Sequence, residues 1–169
     1  KVSDRKVRDE WKPLWGKRAV VEDHFNELVI DLVNPAGQPE RMQLVVRGYN
    51  DGFAFCYKIP DGKGPCVNVQ SELTAYNFAG DYTAWFYNGE NHNIGPEKLT
   101  ETDGTRLPVM TVKAGDKHYM AIHEACLETG APLVLQSKGG ESLFSVASKP
   151  TSLSPGYTSA WRVVLYGTT

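Results

Sequence analysis

The chain has 169 residues, with 18 Lys and Arg against 20 Asp and Glu, for a formal net charge of −2. That near-neutral balance, with its basic residues scattered, argues against a nucleic-acid-binding protein and against attraction to an anionic membrane. No run of about 18 apolar residues is present, which excludes a transmembrane helix.

The length suits one domain, residues 1–169. The chain begins at Lys1 rather than methionine. No secretory leader is visible, so a removed leader or an excised segment is expected. Residues 1–12 mix both charge signs and read as a solvated or poorly packed terminus. Residues 27–33 alternate, with Leu28, Ile30 and Leu32 on one side, until Asn34-Pro35-Ala36-Gly37 breaks the pattern. A hairpin follows. Residues 41–49 put Met42, Leu44 and Val46 on one face, and residues 53–59 put Phe53, Phe55, Tyr57 and Ile59 on one face. Asn50-Asp51-Gly52 lies between them, where glycine accepts a positive φ without steric cost. The spacing predicts a β-hairpin with an aromatic inner face.

Residues 60–65 form a Gly/Pro loop. Residues 67–78 are a strand candidate broken near Gln70, and Tyr82, Ala84 and Phe86 alternate before Asn88-Gly89. Residues 88–107 are polar and hold Gly95-Pro96 and Asp103-Gly104. A connection of that length in a compact domain is usually functional or mobile. Strands resume at 107–112 and 119–123 about a turn at 114–117, then at 133–136 and 143–146. A Ser/Pro loop spans 148–156, and residues 160–166 close the chain. The best helix attempt, 22–33, has a β-branched end and clean alternation that favour a strand. Many short strands with Gly/Pro turns predict an all-β antiparallel sandwich. Three cysteines, Cys56, Cys66 and Cys126, lack metal-ligand spacing. Cys56 and Cys66 bracket a turn and are left open as free thiols or one bridge, with free thiols the expectation.

Six pieces share an order. They are Trp11-Lys12-Pro13-Leu14-Trp15-Gly16, Phe25-Asn26-Glu27-Leu28, the hairpin around Asn50-Asp51-Gly52, Glu72-Leu73-Thr74-Ala75-Tyr76-Asn77-Phe78 with Trp85 after it, the pair Leu107-Pro108-Val109 and Glu124-Ala125-Cys126-Leu127, and Ala160-Trp161-Arg162-Val163-Val164. In that order they resemble the N-terminal domain of glycoside hydrolase family 97, the α-glucosidases and α-galactosidases. Cys56 stands where the hairpin usually has arginine, Ala160 where a proline precedes the tryptophan, and Thr129-Gly130 where aspartate and tyrosine are common. The family's domain begins with further strands before Trp11, and its catalytic barrel follows Arg162. The resemblance therefore implies the C-terminal part of such a domain: a sandwich of the galactose-mutarotase-like supersandwich type, truncated at its N-terminus, with the barrel absent.

The resemblance further implies a periplasmic or secreted parent enzyme acting on α-glucosidic or α-galactosidic bonds of an oligo- or polysaccharide. In it this sandwich packs on a (β/α)8 barrel of the same polypeptide and shapes the active-site rim. Glu72 is the positional match for a glutamate that reaches an active-site calcium. Calcium takes about six to eight oxygens, so one carboxylate holds it weakly in this chain alone; the alternative is an ordinary exposed strand glutamate. Glu124 is read as a rim carboxylate or as a tie to nearby loop amides, Trp85 as a sugar contact or core, and Arg162 as an interface residue. Glu90, His92 and Glu97 are a metal cluster or merely loop polarity. Glycosidases use a carboxylate pair, and no motif here supplies one. A serine-nucleophile elbow and a phosphate loop are also missing, so no catalytic residues are expected in the chain itself. Exposed sheet edges predict self-association. Two other readings stand: a freestanding carbohydrate-binding sandwich, and a small mutarotase-like epimerase drawing on His24, His92, His118 or His123.

Overall fold

Alternation at period two, with Gly and Pro confined to turns, makes nearly every element a strand. The computed structural model describes residues 1–32, 42–90, 93–128 and 131–169. In chain order the strands are β1 (Val2–Trp11), β2 (Val21–Leu32), β3 (Met42–Tyr49), β4 (Gly52–Lys58), β5 (Val67–Val69), β6 (Ala75–Asn77) and β7 (Thr83–Tyr87). They continue as β8 (Asn93–Lys98), β9 (Asp103–Ala114), β10 (His118–Ala125), β11 (Leu135–Lys138), β12 (Leu143–Val146), β13 (Thr151–Leu153) and β14 (Trp161–Thr168). A single 3-10 turn, Leu99–Glu101, is the only helical element among the described residues, and none of their helices is long and apolar enough to cross a membrane.

Twelve strands form one antiparallel sheet in the order β1-β2-β3-β4-β14-β10-β9-β11-β12-β6, with β7 and β8 joined beside β9. β5 and β13 form a separate two-stranded ribbon. The long β9 serves two neighbourhoods: residues 110–114 pair with β10, and residues 103–106 pair with β11. The sheet thereby turns over on itself, and β11, β12 and β6 lie as a second layer across β7, β9 and β10. Between the layers sit Ala84, Phe86, Met110, Val112 and Ile122 from one side and Leu133, Leu135, Phe144 and Val146 from the other. Phe86 and Phe144 meet at 5.6 Å between ring centroids. Burying each large apolar side chain contributes roughly 1.5–3 kcal/mol, so this cluster is what holds the two layers together. β14 lies between β4 and β10, joining the early strands to the late ones.

Three expectations change. The hairpin forms, with Tyr49 opposite Gly52, but its buried face is the small one. Ala54 and Cys56 are buried, whereas Phe53 is 45% exposed. Long side chains from neighbouring strands cover the small residues: the Arg47 guanidinium lies 4.3 Å from the Phe25 ring and 4.4 Å from the Trp161 ring. Residues 2–11 are not a loose terminus. They pair with β2 along their whole length, from Val2–Ile30 to Trp11–Val21, held by the backbone ladder while most of their side chains stay exposed. The polar stretch 88–107 carries β8, which pairs with β7. Gly95 makes this possible, because a Cβ there would lie 2.5 Å from the Ala84 carbonyl oxygen. Residues 34–37, His92 and Thr129-Gly130 lie outside the described residues.

Candidate functional site

β10 and β14 place Glu124 directly opposite Arg162 in register, which puts the two side chains on one face of the sheet. The loop between β5 and β6 brings Glu72 to them. That loop is pinned at three points: the Glu72 amide donates to Ser148 Oγ at 2.7 Å, the Val146 amide donates to the Thr74 carbonyl at 2.9 Å, and the Tyr57 and Thr74 hydroxyls meet at 3.1 Å. Arg162 grips Glu72 with two arms, Nη2 to Oε2 at 2.8 Å and Nε to Oε1 at 3.3 Å. Its remaining nitrogen, Nη1, stands 3.9 Å from Glu124 Oε2, beyond hydrogen-bonding distance. Glu124 instead accepts the Leu133 amide at 2.5 Å, the tie to a loop amide that the sequence offered as one of its two roles.

Arg162 is 4% exposed. Burial lowers its pKa, but the Glu72 carboxylate more than offsets this and keeps the guanidinium charged. Nη1 and the buried Tyr76 hydroxyl have no hydrogen-bond partner among the described residues. Burial, partly countered by Arg162, pushes the Tyr76 phenol up to about 12. Glu72 and Arg162, but not Glu124, line a cleft of about 1110 Å3. It opens where β3 and β14 begin and β4 ends, with the β5–β13 ribbon as one wall. Residues of the 148–159 segment, among them Ser152, Leu153, Ser154 and Tyr157, line much of it together with Met42, Val69 and Leu73.

Glu72, Glu124 and Arg162 are thus brought together, with Arg162 engaged inside the chain. Trp85 is not part of this group. It sits half-buried on β7 with its neighbour Phe86 in the core and Tyr87 exposed. Glu97 pairs with Arg106 at 3.5 Å, and Glu90 is exposed. His24 lies 3.7 Å from Glu22, His118 bonds Tyr166, and His123 is exposed on β10, so none of these three joins the cleft. No cluster of three or more His, Cys, Asp or Glu suited to a metal occurs among the described residues. The Glu72 carboxylate is held by Arg162 through two hydrogen bonds. All three cysteines are free, with Cys56 buried and Cys66 and Cys126 exposed. The sequence reading missed a second charged group. Glu27, 6% exposed, accepts from Arg5 at 2.6 Å and from Arg47 at 2.8 Å. Alternation along β2 could have flagged it, since Glu27 shares a face with Phe25.

Two antiparallel layers around an apolar core, with an ion-paired cleft at one end, define a large-sheet β-sandwich domain. The chain belongs to the glycosyl-hydrolase 97 N-terminal family, whose profile it matches over residues 1–169. It is 27% identical over 166 residues to a retaining alpha-galactosidase of Bacteroides thetaiotaomicron, covering 88% of this chain and 24% of that protein. Its fold matches a glycoside hydrolase family 97 enzyme from Pseudoalteromonas sp. strain K8, solved with acarbose, at a TM-score of 0.81 and 23% identity, covering 99% of this chain and 27% of the other. A beta-arabinopyranosidase matches at a TM-score of 0.82 and 18% identity, over 99% and 31%. The chain spans about a quarter of the curated relative's length.

Proposed function

We propose that this sandwich is the non-catalytic domain of a periplasmic or secreted hydrolase of α-glucosidic or α-galactosidic bonds. It packs on a (β/α)8 barrel of the same polypeptide, and its cleft end shapes the active-site rim. The family match over the whole of 1–169, to relatives about four times as long, carries this reading. Glu72 and Glu124 then face the barrel, Arg162 fixes the Glu72 carboxylate, and Trp85 contributes from a separate face. A calcium at that junction would take one carboxylate, Glu72, from this chain, and its remaining oxygens from the barrel.

The test is made on the full-length polypeptide. It should hydrolyse aryl α-glucosides or α-galactosides, and Glu72→Gln should weaken calcium binding by on the order of ten-fold. Glu72→Gln also loosens a buried ion pair, so both forms are melted without calcium to separate folding from binding. Failure to hydrolyse both substrates overturns the assignment. Equal calcium affinity in the two forms removes Glu72 from the metal.

A further inference from the structure

We propose that β1 is the edge at which two copies of this chain join, antiparallel and side by side, so that the sheet runs on from one copy into the other.

β1 ends the sheet order, with β2 on one side and no strand on the other among the described residues. Such an edge offers a row of unpaired N–H and C=O groups, which proteins blunt by keeping edge strands short or breaking them with proline. The other outer strands follow that rule: β6 is three residues long, and β8 carries Gly95-Pro96. β1 runs for ten residues without proline or glycine. Its protection is charge alone, and the charges are arranged to match themselves.

A two-fold axis normal to the sheet sets the second β1 antiparallel and keeps every side chain on its own face. Residues directly opposed across the junction then share a face and interact. With Arg8 on the axis, Lys6 stands opposite Glu10 of the second copy and Asp4 opposite its Lys12, each pair occurring twice by symmetry. Asp4, Lys6, Glu10 and Lys12 are in no ion pair among the described residues. Arg8 meets its own copy, but its guanidinium bends back over β2 and donates to the Val7 and Phe25 carbonyls at 2.6 and 3.1 Å. In the neighbouring registers like charges outnumber opposite ones. Val7 on the axis sets Lys6 against Arg8 and Asp4 against Glu10. Asp9 on the axis sets Asp9 against itself and Lys6 against Lys12. The favoured register also covers apolar surface: Trp11, 55% exposed, comes opposite Arg5, and Leu14, fully exposed, falls toward Val2, 62% exposed. A strand of any other sequence needs no such symmetry about Arg8, whereas a second β1 does.

Sedimentation equilibrium of the 169-residue chain reads the association. A dimer and nothing larger is expected, because a two-fold contact closes. Lys6→Glu and Glu10→Lys each turn two attractions into repulsions and should weaken the dimer on the order of ten-fold. The double variant restores both pairs with reversed polarity and should return to within about three-fold of the parent. Circular dichroism of each variant checks that the fold is kept, and recovery in the double variant separates the contact from a folding defect. A monomer at every concentration leaves the edge to a strand of other sequence and overturns the proposal. So does open-ended assembly, a dimer that neither single reversal weakens, or single reversals that the double does not rescue.

Discussion

Replacing Gly52 with alanine tests why the hairpin carries glycine. A Cβ at residue 52 would lie 2.1 Å from the Val164 carbonyl oxygen and 3.0 Å from the Leu165 Cα, both backbone atoms of β14. Neither can swing away as a side-chain tip would. β4 and β14 must therefore part by roughly 1 Å to regain van der Waals separation. Overpacking of this kind costs ~1–3 kcal/mol, and weakening one or two ladder bonds adds about 1 kcal/mol each. Gly62→Ala is the matched control, because Gly62 has φ +146° against +159° at Gly52 but nothing within 4 Å of the point where a methyl would stand. The backbone strain is then similar in both variants, and the difference of about 3 kcal/mol is the clash. At about 2–4 °C per kcal/mol for a chain of this size, Gly52→Ala should melt roughly 6–12 °C below Gly62→Ala by circular dichroism. Melting within about 2 °C of each other would refute the close-approach argument and return Gly52 to a turn preference.

Glu27 predicts an acid sensitivity. Burial raises its pKa, but the hydrogen bonds from Arg5 and Arg47 outweigh burial and hold it below the ordinary 4.5. Its contribution is therefore full above about pH 4.5 and lost as pH falls through the lower folded value; denaturant midpoints should drop in that window and flatten in Glu27→Gln. The Cys56 thiol is pushed up to about 11, chiefly by burial, whereas Cys66 and Cys126 are exposed. At pH 8 an aromatic disulfide reagent should titrate those two in the native protein and Cys56 only after unfolding, and immediate reaction of all three would contradict the burial.

The strands at 42–49, 52–58 and 143–146 were legible because each carries its period-two pattern and its turn within ten residues or so. β1 was not, because most of its side chains are charged or exposed; the ladder to β2 and the Arg5–Glu27 pair make it a strand, and neither leaves a mark on composition. β8 was hidden by Gly95-Pro96, which reads as a breaker, although the glycine is there to let two backbones approach. The sequence brought Glu72, Glu124 and Arg162 to attention singly. It could not bring them together, since Arg162 meets Glu72 across 90 positions of chain and meets Glu124 only because β14 pairs with β10. The cleft was likewise invisible: its segment read as a Ser/Pro loop, and a loop's lining depends on what it folds over.

The central place of β14 has a consequence for how the chain is made. Residues 52–55 have no partner on their outer side until residues 162–165 exist. As the polypeptide leaves the ribosome, β4 and later β10 each present a bare edge, the part of a sheet most prone to pair with the wrong strand. Distant pairing of this sort also closes slowly. The nascent domain must therefore wait in two halves, and the two halves join only when the final strand emerges. A stop codon that removed the eight residues of β14 would leave two separate open-edged sheets in place of a slightly shorter sandwich.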